Sequence, residues 1–87
     1  MLADRQRIDR WLWHARVVRT RGAAASLITA GHVRVNGARI AVPSRAVKCG
    51  DVVTIALDGG VRVLKVCGFA ARRGDATAAE GLYDELS

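Results

Sequence analysis

The feature that most constrains this chain is a change of hydrophobic period at Gly31-His32. From Ile8 to Ile28 apolar residues recur at helical spacing, and from Val33 onward they alternate with polar ones. A helix and a strand repeat their faces every 3.6 and every 2.0 residues, so neither pattern can serve the other structure. The chain is therefore expected to build helices first and an antiparallel sheet second, giving an α+β domain. Ile8, Trp11, Leu12, Ala15 and Val18 share one stripe and predict a helix from Ile8 to Val18. Asp9 lies near its start, where the helix dipole favours an acid. Thr20 reads as the N-cap of a second helix striped by Ala23, Ala24, Leu27 and Ile28, with Gly31 as its left-handed stop. Only one or two residues are expected between the helices, which would pack steeply as a compact pair.

Beyond Gly31, Val33 and Val35 alternate with His32 and Arg34, and Asn36-Gly37 is a strong hairpin signal. Ala38 to Val42 is expected to return as a strand that Pro43-Ser44 breaks. Val47 would anchor a connecting segment, and Gly50-Asp51 reads as a turn. Val52–Leu57 and Val61–Phe69 read as strands around Asp58-Gly59-Gly60, for about four antiparallel strands in all. Residues 1–6 read as a polar lead-in and 70–75 as a linker. Ala78, Ala79, Leu82, Tyr83 and Leu86 suggest a short helix that must dock to be stable. The expected organisation is one domain over 5–70 and an acidic tail over 71–87.

Charge narrows the choice of partner. Residues 1–74 hold all 14 basic residues and only Asp4, Asp9, Asp51 and Asp58, while 75–87 hold four acids and no base. The first segment thus carries +10. Twelve of the 14 bases are Arg, whose planar fork matches phosphate oxygens and stacks on bases. A polyanionic partner is expected. With 51% hydrophobic residues the chain is too apolar for a disordered polycation. Cys49 and Cys67 lie 18 residues apart, and neither they nor His14 and His32 show metal-ligand spacing. The cysteines are expected to be small core residues, and the histidines surface groups. A cytoplasmic protein is expected, with no signal peptide and no apolar run near about 18 residues. No nucleophile with a base, phosphate loop or carboxylate pair is visible, so neither catalysis nor a cofactor is expected.

The candidate binding residues lie between Arg7 and Lys48. Helix one would present Arg7, Arg10 and Arg16, and the corner Arg19, Thr20 and Arg21. The segment after helix two adds His32, Arg34, Asn36, Arg39 and Lys48. If the helix pair packs onto the hairpin, these groups can share one face. Free N–H groups at the start of helix two would add an anion site beside Arg21. Such a surface suits phosphate and ribose recognition. Trp11 belongs to the core stripe. Trp13 lies off it and is expected either to stack on an RNA base or to pack under the tail, with packing the favoured reading.

The pattern Arg7-Ile8-Asp9, Arg16, Thr20-Arg21, Ala24, Leu27-Ile28, Gly31, Val33, Val35 and Asn36-Gly37 resembles the S-four RNA-binding domain, or alpha-L motif. The likeness continues through Pro43-Ser44 and Gly50-Asp51-Val52-Val53 and covers roughly residues 5–57. Asp9-Arg10-Trp11-Leu12-Trp13 with Ala15-Arg16, and Arg72-Arg73-Gly74 with Leu82-Tyr83, resemble a subfamily of fifteen-kilodalton ribosome-associated heat-shock proteins. The resemblance implies binding to structured ribosomal RNA. In that subfamily it implies recognition of free large subunits carrying a nascent chain, in stress or translation quality control. Three departures stand out. Ala25 replaces a usual basic residue, Gly22 replaces a usual alanine, and an acidic tail stands where longer relatives carry a basic extension. A monomer is expected, and weak DNA binding is compatible with the same charges. One rival is the targeting module of an RNA-modifying enzyme, such as a pseudouridine synthase, or of a tRNA synthetase. Met1 at the start and no second domain point away from it. The other rival is a module for DNA or an acidic protein.

Overall fold

The computed structural model describes residues 4–87. Its elements run β1 (Arg5–Arg7), α1 (Ile8–His14), α2 (Arg21–Thr29), β2 (Val33–Val35), β3 (Ala38–Arg39), β4 (Ala46–Lys48), β5 (Val52–Leu57), β6 (Gly60–Val66), α3 (Ala76–Glu80) and β7 (Tyr83–Glu85). The α+β class is as expected, but the strand inventory is larger. Five strands form an antiparallel sheet in the order β3-β2-β5-β6-β7, and β1 pairs with β4 as a separate ribbon. Of the expected polar lead-in, residues 5 and 6 belong to the ribbon, and residues 1–3 lie outside the described residues. Val47 does more than anchor a connection, since it is the buried centre of β4.

Helix α1 stops at His14, four residues before the apolar stripe ends. The reason is local. Arg16 takes a left-handed φ of 60°, its N–H donates to the Trp13 carbonyl at 3.1 Å, and the Val17 N–H donates to Leu12 at 3.1 Å. This paired closure is the Schellman motif. It turns the chain back so that Val17 and Val18 still reach the core. Residues 15–20 form the corner, longer than expected. Helix α2 starts as expected, with Thr20 Oγ1 accepting from the Ala23 N–H at 2.9 Å. It ends in the same motif, with Gly31 donating to Ile28 and His32 to Leu27, both at 3.0 Å.

One face of the sheet is covered. Val33, Val35, Val53, Ile55, Leu64 and Val66 are buried against Ile8, Trp11, Leu12, Ala24 and Ile28 of the helix pair. The alternate residues, Arg34, Thr54 and Val61 among them, stay outside the core. Asn36 and Gly37 both have positive φ and close the two-residue β2–β3 turn. The return strand is only two residues long. Gly50, at φ 95°, donates to the Val66 carbonyl while the Val66 N–H donates to Asp51, each at 2.8 Å. That is a glycine bulge, and it admits the chain from β4 into β5.

The C-terminal segment corrects the expected helix over Ala78–Leu86. Asp75 caps α3 by accepting from the Ala78 N–H at 2.8 Å. Gly81 then ends the helix, and the Leu82 carbonyl accepts from Cys67 at 2.8 Å, which lets Tyr83–Glu85 extend the sheet. Unpaired donors along the β6 edge outweigh the weak propensity of a one-turn helix. The preceding strap is tied to α1 by Trp11 Nε1–H donating to Gly68 at 3.2 Å and to β1 by Gln6 Nε2–H donating to Ala70 at 2.9 Å. Neither cysteine is in the core: Cys49 and Cys67 are both exposed. Cys49 lies in the bulge turn and Cys67 at the end of β6, each outside the buried face.

Gly31 tests this packing. Its φ of 85° is left-handed, and an added Cβ would stand 3.4 Å from Arg39 Cδ. Gly31→Ala is expected to lower unfolding free energy by about 1–2 kcal/mol, measured as a reduced urea midpoint at unchanged m-value.

Candidate nucleic-acid interface

The site is organised around an acid. Asp9 is only 4% exposed. Its carboxylate accepts from Arg7 Nε at 3.1 Å, from Arg7 Nη2 at 2.9 Å and from the Arg10 N–H at 2.7 Å. Arg21 Nη2 stands 3.9 Å away. Asp9 thus fastens β1 and the start of α2 to α1, a larger role than dipole compensation.

Strand alternation then aligns the cations. Arg5 and Arg7 are exposed on one face of the ribbon, with Gln6 on the other. Arg5 stands opposite Lys48 in the β1–β4 register, and Arg7 opposite Ala46. A basic stripe therefore runs from Lys48 and Arg5 through Arg7 to Arg21, with exposed Arg10 on the adjoining helix. Arg45 flanks the ribbon, and its carbonyl accepts from the Ile8 N–H at 2.8 Å. Sequence reading missed Arg5 and Arg45, because the β1–β4 pairing joins residues 39 to 43 apart and neither segment carries a strong strand pattern. The alternation Arg5-Gln6-Arg7 was the available signal.

The other candidate residues divide. Arg19 and Thr20 are exposed at the helix corner, with the Thr20 oxygen engaged as a cap. Arg16 is exposed, and its Nη1 donates to the Gly74 carbonyl at 2.9 Å, so it holds the strap. Arg34 and Arg39 stand directly opposite on β2 and β3, a cationic pair on the hairpin. Arg34 Nη1 reaches the Gly37 carbonyl at 3.3 Å. Asn36 is a structural residue first. Its Nδ2 donates to Asp51 Oδ1 at 3.1 Å, and its Oδ1 accepts from the Val52 N–H at 2.9 Å. Exposed His32 lies between α2 and β2. Among the described residues, the side chains of Arg10, Arg19, Arg34, Arg39, Arg45 and Lys48 make no ion pair within 4 Å.

The acidic tail is engaged elsewhere. Glu85 binds Arg62 through two hydrogen bonds, of 2.7 and 3.0 Å, and Asp84 stands opposite Lys65. The Arg62 partner holds the Glu85 carboxyl below its ordinary range. Arg62 is accordingly a paired group. Trp13 packs under the tail as expected: Arg73 Nε donates to its carbonyl at 3.1 Å, with the guanidinium 5.9 Å from the ring centroid.

His14 departs from the surface role expected of it, being 2% exposed at the end of α1. Burial and then the charge of Arg10 push its imidazole pKa down, with Arg21 and Arg73 adding to this and the backbone of Ala70 opposing it.

With this geometry in place, the comparisons with known proteins are specific. A family model described as the S4 domain matches residues 6–53. The chain belongs to the S4 domain family. It is 35% identical to heat shock protein 15 of Escherichia coli K12 over 81 residues, 93% of this chain and 60% of that protein. It is 44% identical over 50 residues to the small ribosomal subunit protein uS4 of Xanthobacter autotrophicus, 58% of this chain and 24% of that one. A solved structure titled as a trimeric heat shock protein 15 of Vibrio cholerae superposes with a TM-score of 0.88 at 32% identity, over 95% of this chain and 83% of that chain. The chain spans about 60% of the length of the heat shock protein 15 relatives.

The buried imidazole gives a signed expectation. Unfolded histidine binds a proton near about pH 6.5, and folded His14 does so only at lower pH. Between the two values the unfolded state holds more protons, so stability is full above the unfolded value and is lost as pH falls through the folded one. The urea midpoint is expected to fall from about pH 7 to about pH 5, and to fall less in His14→Gln.

Proposed function

We propose that this chain binds structured ribosomal RNA, with the large ribosomal subunit as its seat, and acts in the cytoplasm in heat shock or translation quality control. The observation that carries this reading is the basic stripe of Lys48, Arg7, Arg21 and Arg10, four cations against the single carboxylate of Asp9, inside the span that matches the S4 domain. Guanidinium groups on a rigid ribbon and helix pair suit phosphates along a folded RNA, with the 2′-hydroxyl distinguishing RNA from DNA. Relatives named heat shock protein 15 and small ribosomal subunit protein uS4 support the ribosomal setting.

Within this reading Arg10, Arg19, Arg21 and Lys48 are phosphate contacts, and Arg34 with Arg39 a second basic patch. Arg7 and Asn36 hold the surface in shape. Thr20 keeps a hydroxyl proton to donate, and Arg16 contributes by holding the corner. The role is binding, with no catalytic residue and no cofactor. The chain acts as a monomer. Sedimentation at a mass near 9.3 kDa supports that, and a trimer, the form named for the Vibrio cholerae relative, overturns it.

Binding is measured against ribosomal RNA, duplex DNA and isolated subunits over a range of salt. Neutralising five or six phosphates should make log affinity fall against log salt with a slope of roughly −4 to −5. Replacing Arg10 and Arg21 by Ala should reduce that slope by about two. Equal affinity for DNA and RNA would sink the RNA reading, and preference for the small subunit would sink the large-subunit seat.

A further inference from the structure

A cleft of about 300 Å³ opens between the β1–β4 ribbon and the Asn36 turn, lined by Arg5, Arg45, Lys48, Asn36 and Asp51 among others. Three cations face it, and Arg5 and Lys48 are direct cross-strand neighbours. Like charges placed opposite one another destabilise a strand pair. Among the described residues the only ion pair that any of the three side chains makes is Arg5 with Asp4 at 3.5 Å, with both side chains well exposed. Such a surface pair holds little of the charge.

The floor of the cleft is rigid. Asp51 is 8% exposed, with its Oδ1 accepting from Asn36 Nδ2 at 3.1 Å and its Oδ2 from the Lys48 N–H at 3.0 Å. These bonds join the hairpin turn to the end of β4. The backbone of Arg45 is held from both sides, by Ile8 on its carbonyl and Val42 on its N–H at 3.1 Å. The cations are thus borne on fixed backbone, while their side chains remain free to close on a ligand. The volume falls at the lower end of small-ligand pockets, more room than a lone phosphate needs.

We propose that this cleft seats the phosphate of one nucleotide turned out of the RNA, with Arg5, Arg45 and Lys48 around the phosphate oxygens and the sugar and base filling the remaining volume. The inference rests on the RNA-binding reading and extends it along the ribbon to two arginines outside the candidate set. A free nucleotide carries the same phosphate chemistry, so the test separates the two sources.

Amide spectra of the full chain are recorded during titration with inorganic phosphate, with a 5′-mononucleotide and with a ribosomal RNA fragment. Arg5→Gln, Arg45→Gln and the double variant follow. These side chains are exposed, and undisturbed peak dispersion reports an intact fold. The RNA fragment is expected to shift the amides of Lys48, Asp51 and Val52 and the Asn36 side-chain amide. Each substitution should weaken RNA binding about tenfold and lower the salt slope by about one. RNA affinity and slope that survive the double variant, yet fall when Arg10 and Arg21 are replaced, overturn the cleft and leave the RNA reading standing. Mononucleotide shifts at these positions that Arg45→Gln abolishes, in a protein that does not bind the RNA, reassign the cleft to a free nucleotide and overturn the RNA reading. No shift there with any of the three probes overturns the cleft.

Discussion

A buried carboxylate at the centre of a basic surface is the constraint on which the interface depends. Asp9 would be costly to bury alone, and its ion pair and hydrogen bonds with Arg7, together with the Arg10 N–H, offset that cost. Arg7 is half-exposed at 49%, so the pair is anchored on the inside and wet on the outside. Through it the carboxylate fixes where β1 meets α1, and through Arg21 it sets the start of α2 beside them. Three segments converge on one acid. The remaining cations inherit their positions from that junction by ordinary alternation and helical spacing.

Sequence reading recovered what local periodicity encodes. The Thr20 cap, the Gly31 stop, the Asn36-Gly37 turn and the β5 boundaries each follow from short-range rules and stand as expected. It failed where a distant partner decides the outcome. Arg5–Arg7 has no strand signature, and it is extended because Ala46–Lys48 supplies its hydrogen bonds. Tyr83–Glu85 was read as helix because Leu82, Tyr83 and Leu86 have helical spacing, but the β6 edge offered a better partner. The α1 stripe was read too long because a Schellman turn can keep Val17 and Val18 on the core without a helix. For the site, every proposed cation except Arg16 lacks a competing structural bond or takes part in the junction around Asp9 or the hairpin. Of the two missed residues, Arg5 belongs to the ribbon that was itself missed and Arg45 directly precedes its second strand.

The acidic C-terminus illustrates the same division. As a string of letters, residues 75–87 could fold back onto the basic face. In the structure Asp75 caps α3, Glu85 holds Arg62 and Asp84 faces Lys65. The sheet order places β7 at the edge opposite β3. Asp75, Asp84 and Glu85 therefore serve the tail's own docking and do not pair with the cations of the ribbon.

That lack of compensation carries the last step. Two like-charged pairs, Arg5 with Lys48 and Arg34 with Arg39, stand directly opposite across strands, an arrangement that costs stability in an isolated chain. A domain of this size buries only about 60% of its unfolded surface and has little stability to give away. Exposure to water and salt softens the repulsion, but among the described residues these four side chains have one acid partner, the exposed Asp4 beside Arg5. Charges arranged at the expense of stability are often those that a partner completes. The core of Trp11, Ile8, Leu12 and the sheet valines supports a surface that is electrostatically unfinished in the isolated chain, and a polyanion is the partner whose charge finishes it.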